Sequence, residues 1–207
     1  MATGKYIIIE GGDGTGKTTQ AELLQAHLES RGINVLHIKE PGGSPMGEAI
    51  RDALLNGTLE RTPMTNILLF TANRHVLWEL TIKPALNAGT WVICTRNYWS
   101  TLAYQGYGEG MDVDQITAIT KQFTDEQYMK PDLSVILTHY DNAVRKQRIQ
   151  QRGALTNPDT FESRDDDFQT KIQAAYPAIA KDLGIPTVDA ARSIADVQAN
   201  IKKLFQL

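Results

Sequence analysis

Residues 11–18 read GGDGTGKT, a glycine-rich run closed by a lysine and a hydroxyl side chain in the spacing G-x-x-x-x-G-K-[ST]. The residue types suit polyphosphate chemistry: glycines let backbone N–H groups converge on phosphate oxygens, and a following helix adds the positive end of its dipole. Gly11, Gly12, Asp13, Gly14, Thr15, Gly16, Lys17, Thr18 and Thr19 are therefore the candidate ATP-binding residues. Lys17 is a point charge for the β- and γ-phosphates during transfer, and the Thr18 hydroxyl is a ligand for Mg²⁺. The motif alone fits a kinase, a GTPase or a motor.

Such a loop works only between a strand and a helix. The strand is Tyr6–Glu10 and the helix runs from about Thr18 to Ser30, apolar at Ala21, Leu24 and Leu28 and stopped by Gly32. Further short β-branched runs at Val35–Ile38, Trp91–Thr95, Leu133–Leu137 and Thr187–Val188 read as buried parallel strands. A long central helix is expected to start at Thr62-Pro63, an N-cap followed by proline at the first helical position, and to run towards Ala88. Other helices are expected near Asp114–Phe123, Asn142–Arg152, Asp166–Lys181 and Ser193–Phe205. The alternation predicts an α/β fold: a three-layer P-loop NTPase architecture with a five-stranded parallel sheet flanked by helices. One domain over residues 1–207 is expected, with a lid segment near 153–163, where glycine, asparagine, proline and aspartates interrupt two helical patterns.

Apolar residues are 42% and charged residues 22% of the 207, as in ordinary globular chains. The net charge of −3 argues against an extended nucleic-acid partner, while a small anion needs only a local basic pocket. The single cysteine and four histidines offer no disulfide and no zinc spacing, which suits a cytoplasmic protein. Met1 to Lys5 lead straight into the first apolar run, with no signal-peptide core and no membrane-length segment.

Other motifs narrow the choice. IEGGDGTGKTTQ, KEPGGS, LLFTANR, IKPALNAGTWVICTR, STLAYQG, PDL and a D-x-x-E-x5-F pattern at Asp159, Glu162 and Phe168 occur in that order. From about Tyr6 to Val188 the chain resembles the thymidylate kinases: P-loop, parallel-sheet, usually homodimeric cytoplasmic enzymes that make dTDP from dTMP and MgATP. The resemblance implies that Phe70 stacks on the thymine ring and Arg74 bonds the base. Their i,i+4 spacing puts ring and guanidinium on one helix face. It also implies that Asp13 accepts the sugar 3′-hydroxyl and that Arg51 and Arg96 hold the acceptor phosphate, for which planar forks are suited. Ser100, Tyr104, Gln105 and Tyr176 are then dTMP-binding positions, and the catalytic set is Lys17 and Arg96 with lid-side Arg148 and Arg152.

The chain departs from the family in four places. Gly14 stands where some members have a phosphate-loop arginine, so the transferring group's counter-charge is expected from Arg148, Arg152 or Arg164. DTFE replaces the usual D-R-[IV]-E, placing Thr160 at the lid arginine, and Lys39 replaces an arginine. Thr95-Arg96-Asn97 lacks the usual Asp before Arg, with Glu40 or Asp13 as the expected substitutes for its carboxylate near Mg²⁺. Two alternatives stay open on these departures: a kinase for another or modified deoxynucleoside monophosphate, and a nucleotide-binding homologue with weakened catalysis.

Overall fold

The computed structural model describes residues 3–139, 160–161 and 164–207. Five parallel strands, β1 (Tyr6–Gly11), β2 (Val35–Lys39), β3 (Trp91–Thr95), β4 (Leu133–Thr138) and β5 (Thr187–Asp189), form one sheet in the order β2-β3-β1-β4-β5. The all-parallel pairing follows from the apolar runs: with helices over both faces, a strand can be hydrophobic at every position. In β1 the alternation divides the core. Ile7 and Ile9 pack with α1 (Lys17–Glu29) and the C-terminal α9 (Ile194–Phe205) through Leu24, Leu28, Val197 and Ile201. Tyr6 and Ile8 face the opposite layer, which includes α3 (Pro63–Leu77), α6 (Val113–Phe123) and α8 (Asp166–Leu183). The result is the expected three-layer α/β architecture, with the phosphate loop at the carboxyl end of its central strand, where open α/β sheets bind ligands.

The central helix differs from its expected form. The chain is helical from Pro63 to Asn87, but a π-helical turn at Trp78–Ile82 separates α3 from the short α4 (Lys83–Asn87). Pro84 has no N–H to donate and its ring crowds the carbonyl four residues back, which accounts for the altered bonding just before it. Three helical segments were not anticipated. α2 (Pro45–Leu55) is capped by the Ser44 side chain, and α5 (Tyr98–Thr101) continues into a π-helical turn at Leu102–Gly108. The last, α7 (Glu126–Met129), is a single turn capped by Asp125. The helix expected at Asn142–Arg152 and most of the expected lid lie outside the described residues.

Candidate active site

The phosphate loop is shaped by backbone geometry. Gly11 has φ +144°, and a Cβ there would stand 2.4 Å from the Leu137 carbonyl oxygen, so the loop leaves β1 hard against the tip of β4. Gly16 caps α1 in the left-handed conformation with no side-chain acceptor. Among the described residues, each α-helix that starts from a loop elsewhere has an N-cap side chain accepting from its first turn: Ser44, Thr62, Asn97, Asp112, Asp125, Asp165 and Ser193. The α1 end, whose N–H groups lack that acceptor, is suited to a phosphate. The Lys17 ammonium folds back over the loop, donating to the Gly11 and Gly12 carbonyls at 2.8 Å each.

Beside the loop lies a cavity of about 210 Å³. Asp13, Lys17, Thr18 and Arg96 line it on the loop side with Ser100 and Tyr104, Arg51 and Lys39 add charge, and Phe70, Arg74 and Gln105 form the farther wall. Ten of the positions expected from the sequence thus meet in one space. Tyr176 stands behind the lining, its hydroxyl 3.3 Å from both Ser100 Oγ and Glu10 Oε1, and Thr19 lies within α1. Arg148 and Arg152 lie outside the described residues. Arg164 is occupied elsewhere: its guanidinium pairs with Glu109 at 3.2 Å and lies 4.2 Å over the Phe168 ring.

Polar order on the loop side centres on Glu10, which is fully buried. Its carboxylate accepts from the Gly11 and Asn97 backbone N–H groups at 2.8 Å and from Ser100 Oγ at 3.0 Å. Glu10 had no expected role, although a single acidic residue ending an apolar strand is a readable signal, because a buried charge must be paired. Arg96 extends from the end of β3 with φ +83°, a left-handed backbone uncommon outside glycine. That turn lets its guanidinium pair with Asp13, donate to Ser100 Oγ at 3.0 Å and lie 5.6 Å from the Tyr104 ring centre. Tyr104 donates to the other Asp13 oxygen at 2.6 Å.

On the far wall Phe70 is half-buried with the Arg74 guanidinium 5.5 Å from its ring centre, as the i,i+4 spacing implied. Arg74 itself is buried, bonded through Nε to Glu40 at 3.0 Å and through Nη2 to the Asn97 carbonyl at 3.3 Å. Glu40, expected as a substitute near the metal, instead has its oxygens engaged by Arg74 and the Tyr128 hydroxyl. Burial above all raises its pKa to about 7, opposed by the Arg74 charge and the Tyr128 hydrogen bond. Three polar groups on this wall are buried without hydrogen-bond partners: Arg74 Nη1, the Thr101 hydroxyl, and both ends of the Gln105 amide.

Sequence reasoning also missed Phe161, which closes the wall with ring centres 6.0 Å from Phe70 and from Tyr104. Next to it the Thr160 hydroxyl donates to the Leu55 carbonyl at 3.1 Å, docking this stretch onto the end of α2. Thr95 is buried with its hydroxyl 3.4 Å from the Ile38 carbonyl, and its backbone carbonyl accepts from Glu40 N at 3.1 Å.

A family profile described as thymidylate kinase matches residues 9–201. A thymidylate kinase of Exiguobacterium sibiricum is 38% identical, the match covering 97% of this chain and 93% of the relative. One of Nitrosospira multiformis is 36% identical over 97% of this chain and 96% of its own. The solved structure of thymidylate kinase from Ehrlichia chaffeensis superposes with a TM-score of 0.77 at 28% identity, covering 99% of both chains. With its phosphate loop, the cavity beside it and near-complete coverage by these relatives, the chain belongs to the thymidylate kinase family.

Proposed function

We propose that one domain of this chain transfers the γ-phosphoryl group of ATP to dTMP, giving ADP and dTDP. The observation that carries the reading is the far wall, where an aromatic face at Phe70 adjoins buried, unpartnered polar groups of Arg74, Thr101 and Gln105. Unpartnered buried groups are costly, and a pyrimidine edge with both donors and acceptors would satisfy them. A coupled ADP-release assay over deoxynucleoside monophosphates tests this. Release is expected chiefly with dTMP, and equal release with purine acceptors would reject the assignment.

In this reading Asp13, held by Arg96 and Tyr104, meets the sugar hydroxyl, and Arg96 and Arg51 hold the acceptor phosphate against the loop. Lys17 exchanges the loop carbonyls for phosphate oxygens. Transfer needs alignment and charge neutralisation more than covalent help. Among the described residues no group of three or more His, Cys, Asp or Glu could hold a metal, and Thr18 lines the cavity beside Thr95. These residues fit Mg²⁺ that enters on ATP, with the Thr18 hydroxyl as its protein ligand. The ion would neutralise charge on the phosphates.

Two measurements probe the halves of the site. Phe70→Ala should weaken dTMP binding by about 1–3 kcal/mol, the scale of base–aromatic stacking, with a much smaller change for ATP by calorimetry. Equal losses for both ligands would make Phe70 structural. At the other end, Glu40 and Asp13 already have their carboxylates engaged. Thr95→Asp is therefore expected to lower the Mg²⁺ concentration for half-maximal rate by about tenfold, the scale of a restored group around a metal. An unchanged or higher requirement would mean that the neutral residue costs the site nothing.

A homodimer and a cytoplasmic setting complete the proposal. Leu68 on α3 and Phe123 at the end of α6 are exposed apolar side chains on helices that pack together, which supports self-association. Cys94 is free and buried, in keeping with a reducing compartment. No described helix is long and apolar enough to cross a membrane. The net charge of −3 supports small nucleotides rather than nucleic acid as partners.

A further inference from the structure

Beneath the acceptor wall, α7 contributes one side chain to the site's polar order from a distance. Tyr128 is fully buried, edge-on to Trp78 and tilted against Tyr6, with ring centres 5.6 and 6.0 Å away. Its hydroxyl lies 3.1 and 3.0 Å from the two Glu40 oxygens. Glu40 in turn pairs with Arg74 Nε, leaving Nη1 the unpartnered nitrogen of Arg74, a residue that lines the cavity. Tyr128 does not line the cavity. We infer that Tyr128 is a positioning residue for the acceptor site, fixing the Glu40 carboxylate so that Arg74 presents Nη1 to the bound base.

The inference rests on dTMP as the acceptor. Glu40 is faced by Arg74 from α3, Tyr128 from α7, Glu10 and Tyr6 from β1 and Cys94 from β3. Of these, Arg74 and Tyr128 favour its ionised form, while burial and Glu10 oppose it. The Tyr128 phenol is itself pushed well above the ordinary tyrosine range, first by burial and then by the Glu40 charge, so it stays a donor. Without that hydroxyl Glu40 holds its proton to higher pH, and a neutral Glu40 no longer pairs with Arg74 as a charge. The sign is definite. Arg74 is held best above the Glu40 pKa and loses its partner as pH falls through it.

The test uses Tyr128→Phe, Glu40→Gln and the double variant, with KM for dTMP and for ATP measured between pH 6 and 9. The acceptor phosphate titrates in this window too, so the proteins are compared at each pH. At pH 7 Tyr128→Phe should raise KM for dTMP about tenfold, the effect of losing a hydrogen bond to a charged group, with KM for ATP within twofold. The deficit should shrink towards pH 9. In the Glu40→Gln background, whose own KM for dTMP is raised without that pH dependence, Tyr128→Phe should add little. Equal rises for dTMP and ATP, a deficit independent of pH, or an undiminished effect in the Glu40→Gln background would each assign Tyr128 a packing role and overturn the inference. Wild-type protein that releases no ADP with dTMP removes the acceptor assignment and the inference together. Wild-type turnover with an unaltered Tyr128→Phe removes only the inference.

Discussion

Lys17→Ala is expected to lose at least about 10³-fold in phosphoryl transfer to dTMP, the upper range for deleting one preorganised charge partner of a transition state. The Lys17 ammonium reaches the loop interior, where it sits against the Gly11 and Gly12 carbonyls. A phosphate chain in the loop brings oxygens to the place those carbonyls mark. Their charge grows as the γ-phosphoryl group moves, and an alanine offers nothing to meet it. No core contact is lost, because the lysine stem lies at the cavity rather than between sheet and helix. Of the two carbonyls that lose a donor, that of Gly11 keeps Arg96 Nη1 at 3.5 Å. ADP release at saturating ATP and dTMP, with circular dichroism to confirm folding, decides the matter. A folded variant within tenfold of wild type would exclude Lys17 from the transfer step.

The second large effect is expected at Arg96, tested as Arg96→Lys. Deleting the charge altogether would leave Glu10 and Asp13 as underpaired carboxylates, mixing a stability loss of several kcal/mol with any loss of function. Lysine keeps one positive charge but not the planar fork, which here spans Asp13, Ser100 and, in the proposed complex, the acceptor phosphate. A drop in kcat of about 10²-fold with little change in melting temperature is expected. An intact kcat would show that charge alone suffices at this position and that the bidentate geometry is incidental.

The strands were legible because a parallel strand buried on both faces has to be an apolar run, and each of the five such runs is a strand. The Phe70 and Arg74 pair was legible for a similar reason, since helical spacing fixes which side chains share a face. Other features depended on the fold itself. α2 begins behind Gly42-Gly43-Ser44-Pro45, and the helical stretch after β3 ends through Gly106 and Gly108, so local signals there read as loops. Packing overrides them, with Tyr98, Trp99 and Tyr104 buried on the sheet. The Glu40–Tyr128 contact joins residues 88 apart, a separation that leaves no periodic trace. Thr95 could be seen as a neutral residue at a strand end, but its hydroxyl partner, the Ile38 carbonyl, depends on the neighbouring strand's register.

The left-handed backbone at Arg96 sets two kinds of selection against each other. A side chain at φ +83° costs roughly 1–2 kcal/mol relative to a relaxed conformation, a cost that glycine avoids and asparagine reduces. In a library saturated at this codon with Glu10→Gln and Asp13→Asn also present, so that no carboxylate is left underpaired, survival of heat challenge would reward relief of that backbone cost. In the unaltered chain, growth that depends on dTDP supply would instead retain arginine. Position 96 would then stand out as a disagreement between the two enrichment maps, and the same disagreement could be sought wherever a non-glycine residue with positive φ projects into a ligand cavity.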